Sequence, residues 1–297
     1  MCCLFGLLDP QHRMSGADKT KLLHALATAA EVRGTDASGI AYHAGDKLMI
    51  RKAPVPGHAL RFQIPDGITA VMGHTRMTTQ GNEKFNRNNH PFTGNTPTGA
   101  FALAHNGVLW NDKELRETLN LPATNIETDS YIAVQLIEQK RALDFCSLKY
   151  MAEQVEGSFT FTLLDASDSL YIVKGDSPLC LLRYPRSGVF VYASTSEILR
   201  DAQISMDGAE RVEINSGEIL EIDSNGQITR TCYDDTKQRQ NMWRAAAASA
   251  CCCPQSPLDV LKDMAAWMCY PPELIEHYIR CGYAPQEIEE LLNEGEI

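Results

Sequence analysis

The chemistry that this sequence could perform begins at its second residue. The chain opens Met1-Cys2-Cys3-Leu4-Phe5-Gly6, and removal of Met1 would leave Cys2 with a nucleophilic sulfur and a free α-amino group. A thiol attacks as its thiolate, and a terminal amine with a pKa of roughly 7.7–8.0 can act as the adjacent base of an N-terminal nucleophile. The plainer interpretation is that Cys2 is incidental in a cysteine-rich chain, so other residues must decide.

Further along the chain, polar residues suited to binding a small ligand lie in two loops and at one predicted helix start. Arg76 lies where an apolar strand passes into the polar segment 77–81, and His90 lies in the polar run 86–91. Loops dense in side-chain donors commonly carry binding sites, although a surface ion pair at Arg76 and a hydrogen-bonded loop histidine at His90 are plainer interpretations. Asp129 also has a plain interpretation, because an acidic residue in a first helical turn stabilises the helix dipole.

Asn106 and Gly107 stand between the apolar runs 101–105 and 108–110. Asn-Gly between two such runs is the strongest short signal of a tight β-hairpin, so the sequence predicts a turn there. By itself the pair does not indicate a function.

The elements that would position these residues alternate between strands and helices. Strands are predicted at the chain start and at 39–42, 48–52, 68–74, 101–105, 159–164, 170–173, 179–182, 189–193 and 218–222. Helices are predicted at 18–31, at 111–120 behind a capping box of Asn111 and Glu114, at 128–140 and at 147–154. Helices flanked by two sets of strands indicate an α+β domain with layered, largely antiparallel sheets.

The carboxyl-terminal part of the chain differs in composition from this domain. Residues 1–233 are predicted to form the main domain, 234–255 a polar, alanine-rich linker or helical arm, and 256–297 a small helical domain. In the last part, the segment 270–276 (YPPELIE) recurs as 283–289 (YAPQEIE), which indicates two similar short helices. Such helices could dock onto the main domain or a partner protein, or simply pack the chain end.

Composition excludes several classes of partner. The formal charge of −11 and the lack of a basic face argue against nucleic acid and an anionic membrane surface. Neither a signal peptide nor a long apolar span is evident, so we expect a soluble, cytoplasmic protein with reduced cysteines. No metal and no cofactor is predicted, because no pair has C-x-x-C spacing. The cysteines and histidine considered for a metal site are Cys251, Cys252, Cys253, Cys269, His277 and Cys281.

Taken in order, these signals resemble a known family. The motifs are Met-Cys at the start, Arg-Gly-x-Asp-x-Ser-Gly-Ile at 33–40, Gly-His-Thr-Arg at 73–76, His-Pro at 90–91, His-Asn-Gly at 105–107, Glu-Thr-Asp at 127–129, and shorter matches at 175–179, 193–197 and 217–219. Together they resemble the class II glutamine amidotransferases, which are N-terminal-nucleophile hydrolases, and look most like the glutaminase domain of glucosamine-6-phosphate synthase. The resemblance covers about residues 2–225. It implies a four-layer αββα sandwich with Cys2 at the start of a central strand.

The resemblance also implies catalytic roles. Cys2 would attack the side-chain amide of glutamine, while Asn106 and the backbone N–H of Gly107 would form the oxyanion hole. Losing one donor of such a hole typically costs about 10²–10³ in rate. A γ-glutamyl thioester would form with release of ammonia and would then be hydrolysed by water.

Five further residues would bind or order the substrate. Arg76 would pair with the α-carboxylate, for which a guanidinium fork is geometrically suited, and Asp129 would bind the α-ammonium group. Thr79 would add a hydrogen bond, His90 belongs to the same substrate-binding group, and Arg33 would order the loop around Cys2.

Three positions depart from the family pattern. Cys3 stands where Gly is usual and would bring a second thiol next to the nucleophile, where it could crowd the loop or form a redox partner. Gln80 replaces a His, and Met77 replaces an aromatic residue, so closure over the substrate is expected to differ more than the acyl chemistry does. No segment of the sequence resembles the synthase to which family members fuse this domain.

The leading hypothesis is therefore a glutamine-hydrolysing amidotransferase that acts alone or supplies ammonia to a separate synthase, with the carboxyl-terminal helices as the expected contact to that partner. One alternative is a catalytically retired protein that senses glutamine or scaffolds partners. Another is an N-terminal-nucleophile amidase for a different amide, which would leave the charges of Arg76 and Asp129 unpaired in the pocket.

Overall fold

The computed structural model describes residues 2–237, 257–267 and 270–294, which divide into two compact units, residues 1–238 and 239–297. The strands of the first unit are β1 Cys3–Leu8, β2 Ala37–Ala44, β3 Lys47–Ala53, β4 Ala70–Arg76, β5 Phe92–Thr96, β6 Gly99–Leu109, β7 Gly157–Leu164, β8 Leu170–Lys174, β9 Cys180–Tyr184, β10 Val189–Ala193, β11 Glu210–Val212, β12 Glu218–Ile222 and β13 Ile228–Cys232. Its helices are α1 Gly16–Ala29, α2 Asp112–Thr118, α3 Tyr131–Lys140, α4 Phe145–Gln154 and α5 Ser196–Asp201. Short 3₁₀ turns lie at Ala30–Arg33, Gly57–Ala59 and Asn86–Asn88.

The strands form two antiparallel sheets. The seven-stranded sheet has the order β11-β9-β10-β1-β4-β2-β3, and the six-stranded sheet has the order β13-β12-β8-β7-β6-β5. β1 lies centrally in the first sheet, between β10 and β4, so its ladder is paired on both sides. This places the residue that precedes β1, Cys2, at one end of a fully paired strand.

Three hydrophobic clusters separate four layers. The first packs α1 and α5 against the outer face of the seven-stranded sheet, and the second fills the space between the two sheets. The third packs α3 and α4 against the outer face of the six-stranded sheet. Side chains alternate across a strand, and in β1 Phe5 faces α1 whereas Leu4 faces the other sheet. The fold is the αββα sandwich that the resemblance implied.

The far end of β1 is anchored by buried charge. Asp9 and Lys19 are fully buried, and their side chains form an ion pair of 3.0 Å. Asp9 also accepts hydrogen bonds from the backbone N–H groups of Arg13 and Met14, at 2.8 and 2.9 Å. Because a buried carboxylate needs several partners to offset its desolvation, these contacts fix where β1 ends and hence where Cys2 lies at its other end.

Two local predictions are wrong. Asn106 and Gly107 are not a hairpin tip, since β6 runs through both residues and pairs with β7 from Ala102 to Leu109. Asn111 precedes α2 but forms no side-chain cap. Its amide instead donates to the carbonyl of Gln154 and accepts from the N–H of Glu156, at 2.9 Å each. Both errors arise from partners distant in sequence, which a local pattern does not contain.

The second unit contains helices α6 Pro257–Trp267, α7 Glu273–Arg280 and α8 Pro285–Glu294. Leu261, Ala265, Ile275, Ile288 and Leu292 from these helices form its core. Most of the predicted linker and the Cys251–Cys253 triplet lie outside the described residues, as does Cys269. A docking role for these helices stays a prediction. No helix in the described ranges has the length and apolarity to span a membrane.

Candidate active site

The candidate site forms where the ends of β1, β4 and β6 meet. Cys3 pairs with Thr75 in the ladder between β1 and β4, so the next residues outward, Cys2 and Arg76, leave the same sheet edge. A hydrogen bond of 3.0 Å from the His74 ring to the carbonyl of His105 joins β4 to β6 across the two sheets. The register therefore brings together three segments that are far apart in the sequence.

Cys2 is nearly buried, with 9% of its surface exposed. Its Sγ donates to the carbonyl of Met77 at 3.6 Å, and its own carbonyl accepts from Arg33 Nε at 2.9 Å. Burial raises the pKa of the Cys2 thiol, whereas the contact with Met77 and the charge of Arg76 act to lower it. The negative charge of Asp129 raises the pKa of the Cys2 thiol, whereas the charge of Arg76 lowers it. Both expected substrate-binding residues are therefore close enough to Cys2 to affect its ionisation.

Cys3 does not share the surroundings of Cys2. It belongs to the cluster beneath α1 and is fully buried there, because neighbouring side chains in a strand point to opposite faces. Burial raises the pKa of its thiol to about 11. Its sulfur therefore neither crowds the loop at Cys2 nor reaches solvent as a thiolate near neutral pH.

The Arg-Gly-x-Asp motif holds the backbone that follows β4. The Asp36 carboxylate accepts from the N–H of Thr78 at 2.7 Å, and the Asp36 N–H donates to the carbonyl of Arg76 at 3.0 Å. A Cβ at Gly34 would lie 2.4 Å from the carbonyl carbon of Arg76, so the close approach of the two segments requires glycine. This motif thereby positions Met77, whose carbonyl contacts the sulfur of Cys2.

Arg76 is buried and its guanidinium points into the polar loops. Nη1 donates to Asn89 Oδ1 at 2.6 Å, and Nη2 donates to the carbonyls of Gln80 at 2.5 Å and Gly81 at 3.4 Å. Burial lowers the pKa of Arg76, and the surrounding acidic groups oppose that shift. An arginine has five N–H donors, so after these three contacts it can still donate to a carboxylate.

The loop that carries Asn89 is itself held by side chains. Asn88 donates to the Glu127 carboxylate at 2.7 Å and accepts from the Glu127 N–H at 3.0 Å. Lys52 donates to the carbonyls of Asn89 and Pro91, at 2.7 and 2.9 Å, and burial together with the charge of Arg76 lowers its pKa to about 8. These contacts connect the loop to β3 and to the segment before α3.

Asn106 and Gly107, the residues expected to donate to the oxyanion, lie within β6. The Asn106 side chain is 1% exposed, and its Nδ2 has no hydrogen-bond partner among the described residues. Gly107 has a φ of +144°, and a Cβ there would lie 1.8 Å from the carbonyl oxygen of Ser158. A buried amide without a partner costs free energy, and a ligand oxygen that accepted a hydrogen bond from Asn106 Nδ2 would remove that cost.

Asp129 lies before α3 and is buried. Its Oδ2 accepts from the N–H of Leu109 at 2.6 Å, and Ser130 Oγ donates to its Oδ1 at 3.3 Å. Ser130 Oγ also lies 2.8 Å from Nδ1 of His105. Since each carboxylate oxygen can accept more than one hydrogen bond, these contacts orient Asp129 and still leave capacity for an ammonium group.

The remaining predicted binding residues lie in contrasting surroundings. His90 is buried between the rings of His74 and Phe92, at centroid distances of 4.2 and 4.4 Å, and neither of its ring nitrogens has a described partner. Thr79 is exposed on the loop. Burial lowers the pKa of His74 to about 3 and that of His90 well below its usual value, so both rings are neutral near pH 7.

Several residues that shape the site were not singled out by the sequence analysis. His74, Asn88, Asn89 and Lys52 act through backbone and side-chain contacts that span long stretches of chain. Asn88 and Asn89 lie in the polar run 86–91, so the density of donors there was an available signal. Lys52 lies at the end of an ordinary amphipathic strand, and nothing in the sequence around it indicated a role in the site.

Comparisons with known proteins agree on one family. The glutamine amidotransferase domain family matches residues 74–201. The glutamine–fructose-6-phosphate aminotransferase (isomerizing) of Streptococcus agalactiae serotype III is 34% identical over 161 residues, covering 51% of this chain and 26% of that protein. Its counterpart from Halobacterium salinarum is 32% identical over 213 residues, covering 67% of this chain and 32% of that protein. The chain thus spans about a third or less of the length of these relatives.

Two solved structures share the fold. One is glutamine phosphoribosylpyrophosphate amidotransferase from B. subtilis complexed with ADP and GMP, with a TM-score of 0.60 and 21% identity. The other is described as the allosteric regulatory enzyme of purine biosynthesis, with a TM-score of 0.63 and 20% identity. Each match covers 78% of this chain and 49% of the matched chain.

Proposed function

We propose, from the premise that this chain carries a class II glutamine amidotransferase domain of the N-terminal-nucleophile type, that it hydrolyses glutamine to glutamate and ammonia. The observation that carries the proposal is the unpartnered, buried amide of Asn106, which follows the His105 carbonyl bonded to His74, while the charges of Arg76 and Asp129 act on Cys2. A nucleophile, an oxyanion donor and a pair of opposite charges suited to an α-amino acid are the groups that this reaction needs.

Substrate binding would use the two buried charges. The α-carboxylate would accept from the remaining donors of Arg76, and the α-ammonium group would donate to Asp129. Both residues are already oriented by backbone groups, Arg76 by the carbonyl of Gln80 and Asp129 by the N–H of Leu109. Preorganised charges of this kind favour ligands that carry both complementary groups, because a ligand lacking either would leave a buried charge without a partner.

The acyl step begins from the chain start. In the proposed mechanism Met1 is removed, and the α-amine of Cys2 takes the thiol proton as the sulfur attacks the amide carbon. The thiolate is the reactive form, and burial opposes it by raising the thiol pKa, so the adjacent amine and Arg76 must compensate. Asn106 Nδ2 and the Gly107 N–H would then donate to the oxygen as it becomes negative.

Collapse of this intermediate would break the carbon–nitrogen bond and release ammonia, which takes the proton held by the amine. Water would then attack the γ-glutamyl thioester, and the same two donors would stabilise the second oxyanion. Glutamate would leave with its charges still paired to Arg76 and Asp129 until it dissociates. Whether ammonia passes to a separate synthase or to solvent depends on a partner protein, for which the carboxyl-terminal helices are our proposed docking unit.

The decisive experiment measures glutamate and ammonia release from glutamine by the purified protein and by the Cys2→Ala variant. We expect the variant to lose at least about 10³-fold in kcat, because the covalent pathway is removed. Cys146→Ala is the matched control, since Cys146 is an exposed free cysteine, and its activity should equal that of the parent. Unchanged release by Cys2→Ala, or an intact mass that shows Met1 retained on active protein, would overturn the mechanism.

A glutamine-binding protein without catalysis is the second candidate, and the raised pKa of Cys2 favours it. This candidate predicts that glutamine raises the melting temperature of the parent and of Cys2→Ala equally, with no glutamate formed in either sample. Hydrolysis by the parent alone would exclude it.

A further inference from the structure

Lys52 reaches the candidate site from β3, across the strand that separates β3 from β4. In the sheet Lys52 pairs with Gly39 of β2, and Gly39 pairs with His74 of β4. Directly paired residues point to the same face of a sheet, so Lys52 and His74 share a face, and Gly39 leaves a gap between their side chains. A Cβ at Gly39 would lie 2.2 Å from the carbonyl oxygen of His90 and 2.8 Å from the Cβ of Lys52. The glycine therefore lets the lysine and the loop at His90 lie together against β2.

Lys52 holds this loop at the residue that orients Arg76. The Nζ of Lys52 donates to the backbone carbonyls of Asn89 and Pro91, at 2.7 and 2.9 Å. The side-chain oxygen of the same Asn89 accepts from Arg76 Nη1 at 2.6 Å. Asn89 is fully buried, and its Nδ2 donates to the carbonyl of Glu83 at 2.7 Å. A shift of the Asn89 backbone would therefore move the acceptor that fixes one nitrogen of the guanidinium.

The two cations act on one another and are held by neutral groups. The described hydrogen-bond acceptors of both side chains are carbonyl and amide oxygens, which carry no net charge. Burial and the positive charge of Arg76 lower the pKa of Lys52 to about 8, so the two charges lie close enough to repel. An anion bound at Arg76 would relieve this repulsion and would be attracted by both cations.

We propose that Lys52 is a positioning residue for the substrate α-carboxylate, which fixes Asn89 so that the remaining N–H groups of Arg76 meet the carboxylate and adds its own positive charge to that subsite. This inference rests on the proposed function, in which Arg76 binds the α-carboxylate. Lys52 need not touch the substrate in this role, because it acts through Asn89 and through its charge. Contacts to the α-carboxylate are the same in the ground state and the transition state, so the effect falls on KM more than on kcat.

The first test measures glutamate release from glutamine by Lys52→Met, which keeps an unbranched apolar stem but removes the charge and the donor. We expect KM to rise about 10-fold or more with kcat within about 2-fold of the parent, because charge-assisted hydrogen bonds are lost. Lys47→Met is the matched control, since Lys47 is an exposed lysine on the same strand, and its KM should equal that of the parent. An unchanged KM in Lys52→Met would overturn the proposal.

A second substrate separates this role from a general loosening of the fold. In the α-amide of glutamine a neutral amide replaces the α-carboxylate, and the hydrolysis of the γ-amide is measured for both substrates. The ratio of kcat/KM for glutamine over that for the α-amide should fall about 10-fold in Lys52→Met, because the lost cation favours only the carboxylate. A variant that merely loosened the fold would weaken both substrates alike, and an unchanged ratio would overturn the proposal.

The charge of Lys52 also gives a pH signature in the parent. Its pKa of about 8 means that it loses its proton as the pH rises, and the protonated form binds an anion better, so KM for glutamine should rise between about pH 7 and about pH 9. The titratable groups that face Lys52 do not change charge there, because Arg76 stays protonated and burial keeps His90 neutral. The glutamine amine titrates alike in every sample. Lys52→Met should lack the additional rise, and the same pH dependence in both proteins would overturn the proposal.

Two results separate this inference from the proposed function. Hydrolysis of glutamine by the parent, with an unchanged KM in Lys52→Met, would overturn the inference and leave the proposed function standing. Absence of glutamate from the parent would overturn the proposed function, and calorimetric binding of glutamine to Cys2→Ala and to the double variant Cys2→Ala/Lys52→Met would then test the inference alone. We expect the double variant to bind about 10-fold more weakly. Equal affinities, or binding to neither protein, would overturn the inference as well.

Discussion

The two halves of the candidate site are built in different ways. Asn106 and Gly107 belong to β6, whose ladder with β7 fixes them. Arg76 ends β4, and Met77 begins a loop that is held by single side-chain contacts, among them the carboxylate of Asp36. Strand register thus sets the half that would stabilise charge in the reaction, and individual hydrogen bonds set the half that would recognise the substrate.

This difference has a consequence for what each half tolerates. A strand ladder is held by many backbone hydrogen bonds. A substitution in β6 that fits sterically should therefore leave the register intact, whereas one that clashes with β7 should lower the free energy of unfolding strongly. The loop half depends on a few bonds worth about 0.5–1.5 kcal/mol each, so its changes should be milder and should appear in substrate affinity.

The largest effect is expected for Gly107→Ala. The added Cβ would lie 1.8 Å from the carbonyl oxygen of Ser158, at a φ of +144° that side chains rarely adopt. Overpacking and backbone strain together should lower the free energy of unfolding by about 3–5 kcal/mol, measured by urea denaturation. Gly45→Ala is the control, because Gly45 also has a positive φ but no atom within 4 Å of the added Cβ. If both variants lost the same free energy of unfolding, the strain of a positive φ, and not the close contact with β7, would account for the effect.

Asn106→Leu should separate catalysis from stability. The side-chain amide has no described partner, so replacing it with an apolar group of similar size should leave the free energy of unfolding within about 1 kcal/mol or raise it. The kcat for glutamine should fall by about 10²–10³, the typical cost of one oxyanion donor. A large loss of stability with kcat intact would reverse the assignment of this residue.

The sequence predicted the strand-held and the loop-held halves of the site to different extents. Ordered motifs singled out Cys2, Arg76 and Asp129, and the structure brings the three close enough for the two charges to act on the Cys2 thiol. The hairpin prediction at Asn106 and Gly107 failed because Asn-Gly also suits a strand whose neighbour approaches closely, and that neighbour, Ser158, lies far along the chain.

The layers of the fold were predictable for a simpler reason. Alternating and helical periodicities record which faces are buried, and the three hydrophobic clusters follow those faces. The contacts that hold the loop half, such as Arg76 with Asn89 and Asn88 with Glu127, pair residues of no fixed spacing. Local pattern therefore gives the scaffold and the reacting groups, whereas the supporting contacts need the tertiary structure.

Acid should lower the free energy of unfolding through His74, which joins β4 to β6. His74 bonds the carbonyl of His105, and burial lowers its pKa from 6.5 to about 3. Between these pH values the unfolded chain binds a proton that the folded protein does not, so stability falls as the pH falls through this window. Between pH 7 and pH 5, the titration of His74 should lower the free energy of unfolding by about 2 kcal/mol.

The measurement compares unfolding free energies at pH 7 and pH 5 for the parent and for His74→Gln, which keeps a donor for the carbonyl but does not titrate. The variant should lose about 2 kcal/mol less on acidification. An identical pH dependence in His74→Gln would show that this ring does not carry the effect.

The smallest effect is expected for Asp36→Ala, which tests the loop half alone. The variant loses the hydrogen bond from the Thr78 N–H and should lose about 1–2 kcal/mol of stability, while the exposed control Asp46→Ala should change by less than about 0.5 kcal/mol. Because the backbone after β4 would then be less constrained, the carbonyls of Gln80 and Gly81 would hold the Arg76 guanidinium less firmly. We therefore expect KM for glutamine to rise several-fold with kcat nearly unchanged. A fall in kcat at constant KM would instead mean that this loop acts on the reacting atoms, and the contrast between the two halves would not hold.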